Sequence, residues 1–239
     1  MKLDVYFTPL GLVMADLTGR AVVVIDVLRA STTIVTAIAH GAKAVVPAAS
    51  SDEAVRLAAN LRKDGVVLAG ERRLLKIEGF TLGNSPRDMT PQAVGGKTVY
   101  LATSNGTPAL VSVHGGDPVL VLAAANFRAV AERARALFQE RGHLAIVCAG
   151  REKQFALEDA YAAGRLIKVV KAGIRKVRFN DAARVALDLT SKYRAWAAAL
   201  EASEAARLLE EADLAADVAF AAKADRFAVV PTYEDKRIT

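Results

Sequence analysis

Where this chain turns from buried-looking apolar runs to polar loops, it places acids, an arginine and hydroxyls. The run AVVVID (21–26) ends in Asp26 and continues VLRASTT, so Arg29, Ser31, Thr32 and Thr33 follow within one turn of chain. A second run, KTVYLAT (97–103), leads into Ser104, Asn105, Gly106 and Thr107. A third, HLAIVCAG (143–150), carries Cys148 and leads into REKQFALED, which holds Glu158 and Asp159. Hydroxyls, small residues and backbone N–H groups at the start of a helix bind anions. The planar fork of Arg29 suits phosphate or sulfonate oxygens. Capping alone explains Ser31, Thr32 and the Asn105-Gly106 turn, but it does not explain an acid and an arginine bracketing one turn. The acids Asp26, Glu71, Glu78, Glu158 and Asp159 all fall near strand ends or in one unusual loop. Oxygen ligands without Cys or His partners suit Mg²⁺, which takes one or two carboxylates together with substrate phosphate and water.

Familiar phosphate sites are absent. GGKT (95–98) ends like a P-loop, but Pro91 stands where the first glycine belongs, and a strand follows instead of a helix. There is no G-x-G-x-x-G. Gln154, not arginine, lies six residues after Cys148, Leu28 stands where an aspartyl-phosphate phosphatase needs its second aspartate, and Ala39 and Val113 precede His40 and His114 where a histidine phosphatase needs arginine. None of the three histidines has metal-ligand spacing, and His143 reads as the start of a strand.

The elements that must position these groups alternate regularly. Short β-branched runs at 2–7, 21–26, 43–48, 66–70, 97–103, 118–123, 143–149, 175–179 and 227–231 predict strands. Amphipathic stretches at 31–40, 51–64, 105–113, 126–141, 157–172 and 181–199, with two shorter ones over 203–222, predict helices, with start signals at Ser51 and Asn126. This pattern implies a layered α/β/α fold with a mixed, largely parallel sheet, in one domain spanning 1–239. A shared strand, polar turn, helix and glycine plan around 22–46 and 144–170 hints at internal duplication. Residues 70–90, GERRLLKIEGFTLGNSPRDMT, break the rhythm and read as an ordered functional loop.

With 239 residues, 53% apolar and only 6% aromatic, the interior must be built from Ala, Val, Leu and Ile. A single cysteine excludes an internal disulfide and points to a reducing compartment. The first sixteen residues lack the basic start of a signal peptide, and no run reaches the ~20 apolar residues of a membrane span, so a soluble cytoplasmic protein is expected. The net charge of +6 suits an anionic ligand. Scattered Lys and Arg, with few aromatics for base stacking, argue against nucleic acid.

Taken in order, VVVIDVLRASTT, GER followed by KIEGFTLGNSP, TSNGT and CAG with ALED resemble the 2-phosphosulfolactate phosphatase family, as does the closing DLAADVAFAAKADRFAVVP. The resemblance implies an α/β fold and Mg²⁺-dependent removal of phosphate from 2-phospho-3-sulfolactate, on the way to coenzyme M. It implies catalytic roles for Asp26, Arg29 and Glu71, with Mg²⁺ held among Asp26, Glu71, Glu158 and Asp159. Substrate contacts would come from Ser31, Thr32, Asn84, Ser85, Ser104, Asn105, Gly106 and Thr107, and from backbone N–H groups of 30–33 and 105–107. Arg72 would take the sulfonate or carboxylate. The nucleophile is a metal-bound water, Asp26 or Cys148, in that order, and the assembly admits a homodimer. Two departures stand out. Thr81 replaces an aspartate frequent in the family, and Arg73-Leu74-Leu75 replaces a more glycine-rich stretch.

Overall fold

The computed structural model describes residues 1–10, 12, 17–59, 65–113 and 115–239. His114 and residues 60–64 of the second expected helix lie outside them. Strands β1 (Lys2–Tyr6), β2 (Ala21–Ile25), β3 (Ala44–Ala48), β4 (Val66–Arg72), β5 (Leu75–Lys76), β6 (Thr98–Ala102), β7 (Val119–Leu122), β8 (His143–Cys148), β9 (Arg178–Phe179), β10 (Thr232–Glu234) and β11 (Arg237–Ile238) form one mixed sheet. Its order is β5-β4-β6-β3-β11-β10-β7-β2-β8-β1-β9. Two stacks are parallel within themselves: β4-β6-β3, and β7-β2-β8-β1-β9. The antiparallel hairpin β10–β11 joins them, pairing with β7 on one side and with β3 on the other.

Strand β2 is fully buried, as a continuous apolar run in a two-sided sheet should be. Ala21, Val23 and Ile25 face one core, with helices α5 (Phe127–Arg141), α6 (Leu157–Val170) and α7 (Asp181–Lys192). Val22 and Val24 face the other, with α1 (Ala30–Ala39) and α4 (Gly106–Ser112). The period-two alternation of side chains thus mounts β2 from both faces and fixes where Asp26 emerges. Strands β2 and β8 lie side by side, with Ile25 opposite Cys148, so their polar ends are neighbours. Among the described residues, no helix is long and apolar enough to cross a membrane.

Some expected elements differ. Residues 227–231 form no strand: the Phe227 amide bonds the carbonyl of Ala125, Val229 accepts from Asn126, and Phe227 and Val229 pack on Val35, Ala123 and Ala125. That apolar seat holds 227–230 away from a strand partner; the Val121 amide of β7 bonds the carbonyl of Pro231, and the ladder follows at β10. The strand expected at 175–179 shortens to β9. The helix expected over 181–199 breaks at Tyr193, whose backbone is extended, and resumes as α8 (Trp196–Glu201). Helices α9 (Glu204–Glu211) and α10 (Ala215–Ala221) follow. The second helix, α2 (Ser51–Ala58), is capped by Ser50, whose hydroxyl accepts from Glu53, and not by Ser51. Asn126 caps no helix: it accepts from Ala123 and donates to Val121 and Val229. The short helix α3 (Pro91–Val94) was not signalled in the sequence pattern.

Candidate active site

The loops after β2, β4, β6 and β8 converge on one cleft lined by Asp26, Arg29, Glu71, Asn84, Ser104, Asn105, Glu158 and Asp159, together with Arg73, Leu74 and Arg151. Asp26 is 7% exposed and shapes the turn that follows it. Its Oδ1 accepts the Ala30 amide at 3.0 Å, its carbonyl accepts the Ser31 amide at 2.8 Å, and its own amide bonds Ser31 Oγ at 2.9 Å. Asp26 therefore does the capping for α1 that the hydroxyls were expected to do. Ser31 and Thr32 are committed to the turn, Thr32 through a 2.7 Å bond to the carbonyl of Val27. The amides of Ala30, Ser31 and Thr33 are likewise occupied within the chain, so they are not the anion donors the sequence suggested.

Gly106 opens α4 against Asp26. A Cβ there would sit 2.4 Å from Ala30 Cβ and 2.6 Å from Asp26 Oδ2, so only glycine allows the two loops to approach this closely. Thr107, fully buried, exchanges hydrogen bonds with Thr103 at 3.0 Å each way and braces the turn from behind. Asn105 lines the cleft and accepts from the Glu152 amide, tying the β6 loop to the β8 loop.

The carboxylates divide by role. Asp159 receives the amides of Val27 (2.8 Å) and Gly150 (3.2 Å), holding the β2 and β8 loops together. Glu71 receives the amides of Ser104 (2.7 Å) and Leu74 (2.8 Å). The carboxyls of Asp26 and Glu158 are both pushed up to about 7. For Asp26 the main cause is burial, reinforced by the charges of Glu158 and Glu71 and opposed by the Ala30 amide. For Glu158 it is again burial, opposed by its own amide, by a hydrogen bond from Ser203 and by the charge of Arg151. Burial also lifts Asp159 well above the usual carboxylate range, with the charges of Glu158 and Asp26 adding to it. Among the described residues, no three Asp, Glu, His or Cys side chains are arranged to hold a metal ion, so Asp26 and Glu71 do not come together with Glu158 or Asp159 as a ready three-carboxylate site.

Arg29 is 4% exposed and pinned. It donates to Asp217 Oδ2 at 2.9 Å and to the carbonyl of Leu74 at 3.0 Å. Asp217, fully buried on α10, also accepts from the Ser85 hydroxyl at 2.7 Å. Ser85 thus supports Arg29 from behind. Asn84 lines the cleft, and its Oδ1 is buried without a hydrogen-bond partner. Asp217 was given no role in the sequence reading. Its acid lies 188 residues from Arg29, and an alanine-rich helix gives no local sign that one aspartate faces inward.

Arg72 is not brought to the cleft. It is exposed at the end of β4, on the opposite face from Glu71, and approaches Ser51 Oγ at 3.4 Å. Strand alternation turns it away, while Arg73 in the next turn lines the cleft. Arg73 and Leu74 have φ of 51° and 72°, the left-handed region that favours glycine. Cys148 is fully buried in the core, outside the cleft, and burial pushes its thiol well above its ordinary value. A neutral thiol packed away from the cleft is no nucleophile. Cys148→Ser is therefore expected to leave turnover close to wild type while lowering stability by about 1–3 kcal/mol, checked by steady-state rates and thermal melting. His40, bonded to the carbonyl of Met89 at 2.6 Å, is structural.

A sequence model of the 2-phosphosulpholactate phosphatase family matches residues 6–236. A protein of Synechococcus named "Probable 2-phosphosulfolactate phosphatase" is 40% identical over 226 residues, covering 91% of this chain and 90% of its own. Proteins of the same name from Caldanaerobacter subterraneus and Symbiobacterium thermophilum are each 36% identical, over 97% and 93% of this chain and 95% of their own lengths. The matched span takes in every block that converges on the cleft, and the chain belongs to the 2-phosphosulfolactate phosphatase family.

Proposed function

We propose that this chain hydrolyses the phosphate monoester of 2-phospho-3-sulfolactate in a Mg²⁺-dependent reaction, giving sulfolactate and phosphate. The observation that carries the reading is one cleft holding two buried carboxylates lifted to about 7 beside a pinned arginine and two further cleft arginines. Crowded hard oxygens with too little positive charge nearby are the donor set a small dication satisfies. Asp26 and Glu158 would hold Mg²⁺, with the orphaned Asn84 Oδ1 a third oxygen in the same cleft. When bound, the ion would neutralise phosphoryl charge and activate a water. Asp26 and Glu158 give up their protons to receive it. Arg29 retains N–H donors beyond the two bonds it makes and offers them to phosphoryl oxygens. Water attacks phosphorus, the bond between phosphorus and the ester oxygen breaks, and a proton of the attacking water passes to that oxygen, giving sulfolactate and inorganic phosphate.

The second acidic group of the substrate falls to Arg73 and Arg151, the cleft arginines outside the Arg29 pin. Arg73→Ala is expected to raise KM for phosphosulfolactate about tenfold or more with a smaller change in kcat, while Arg72→Ala stays near wild type. An equal effect of the two substitutions would overturn the assignment. A soluble substrate of this size agrees with a cytoplasmic enzyme that has no nucleic-acid partner, and with the coenzyme M route implied by the resemblance.

Phosphate release from racemic 2-phosphosulfolactate, beside phospholactate and phosphoglycolate, each with Mg²⁺ and with EDTA, tests the reading. Metal-dependent turnover selective for the sulfonate supports it. Turnover of the others alone keeps the reaction and replaces the substrate with another small phospho-acid, an outcome favoured by the altered Arg73-Leu74 turn. Silence on all three overturns it in favour of an anion-binding module.

A further inference from the structure

A second cleft, about 890 Å³ and open to solvent, lies at the amino ends of β1, β8 and β9. Lys2, Arg20, Arg175, Lys176 and Arg178 line it around His143. Asp4 bonds Lys2 at 2.9 Å and Arg20 at 2.8 Å and so compensates one charge. Arg175, Lys176 and Arg178 are exposed and have no acidic partner among the described residues. Four positive charges in excess are held in one concavity. Strand β8 begins at His143 in this cleft and ends at Cys148, next to the first cleft's loop, so the two clefts are about 17 Å apart at roughly 3.3 Å per residue.

We propose that this cleft binds a small polyanion carrying two or more phosphate groups. A single phosphate would leave about half of the excess charge uncompensated, whereas a polyphosphate matches it, and arginine forks suit its oxygens. No Phe, Tyr or Trp lines the cleft to stack a base, which disfavours a nucleic-acid strand. His143 lines the cleft among these cations and reports on their field. Burial, then the charges of Arg20 and Arg141, hold its imidazole below the usual histidine range. Lys2, Arg175, Lys176 and Arg178 add like charge on the same side, and Asp4 is engaged by Lys2 and Arg20. An anion seated there would reverse that field and favour the imidazolium.

The test uses the full chain, tripolyphosphate as probe, EDTA to exclude metal, and low salt. Calorimetry is expected to show binding that weakens at least tenfold in Arg175→Ser/Arg178→Ser, a variant whose turnover without the probe matches wild type. By NMR, the His143 imidazole, one of three in the chain, is expected to titrate at higher pH when tripolyphosphate is bound. Equal affinity in wild type and variant, an unmoved His143, or simple competition with phosphosulfolactate would each overturn the proposal. So would a single-stranded oligonucleotide that binds more tightly than tripolyphosphate.

Discussion

Asp26→Asn is expected to lower phosphate release by on the order of a thousandfold or more while making the protein more stable at pH 8. Both results follow from one carboxylate. Folding carries the Asp26 carboxyl from 3.8 to about 7, chiefly by burial. Between those values the folded state holds a proton that the unfolded state has lost, so stability falls as pH rises through that window and levels off above it. At about 1.4 kcal/mol per tenfold change in proton affinity, the ceiling is about 4 kcal/mol, and relaxation around the site should leave roughly 1–3 kcal/mol. Asparagine carries no charge and still presents an oxygen to the Ala30 amide. Melting temperatures from pH 5 to 8 should therefore slope less in the variant. In wild type, Mg²⁺ should raise the melting temperature more at pH 8 than at pH 5.5, because protons compete for the same oxygens. In Asp26→Asn that gain should largely vanish. A variant with more than a tenth of wild-type turnover, or an unchanged pH slope, would contradict the assignment.

Asp217→Ala is the substitution with the largest expected cost in stability. It leaves the Arg29 guanidinium, 3% exposed, without its counter-charge, and removes the acceptor of Ser85. Breaking one side of a buried pair costs about 3–5 kcal/mol, which for a chain of this size lowers the melting temperature by roughly 10 °C. Turnover should also collapse, because Arg29 loses the anchor that aims it. Arg29→Met/Asp217→Met separates the two effects: with both charges gone, most of the stability should return, yet the enzyme should stay inactive. Recovery of activity in the double variant would show that Arg29 has no part in the reaction.

The strands that carry the site were legible because they are short, β-branched and buried on both faces, and the loop of 70–90 was legible as ordered because it breaks that rhythm while keeping more Gly, Phe and Leu than a disordered segment holds. Asp26, Arg29, Glu71, Asn84, Ser104, Asn105, Glu158 and Asp159 do share one cleft. How they divide the work was not readable. Whether a hydroxyl caps its own helix or faces a ligand depends on which amide comes within 3 Å, and that is set by tertiary approach. Asp26 displaced Ser31 and Thr32 as the cap of α1 in this way. Arg72 and Arg73 differ by a single step of strand phase, fixed by where β4 ends. Asp217 was invisible for a different reason: its meaning depends on a partner on another element, and a single sequence carries no signal of that pairing. The 227–231 segment has strand composition but packs on a turn, a case of tertiary context overriding propensity.

The hairpin β10–β11 also governs the order of assembly. Before residues 232–238 leave the ribosome, the stacks β4-β6-β3 and β7-β2-β8-β1-β9 each present a bare flank, at β3 and at β7. Such unpaired flanks recruit strands from other chains. Until the hairpin is made, the two half-sheets are unstitched, and closing them requires contacts between residues more than a hundred positions apart, which makes folding slow. Chaperone dependence and aggregation during expression should accordingly track the hairpin, far from any residue that touches the substrate.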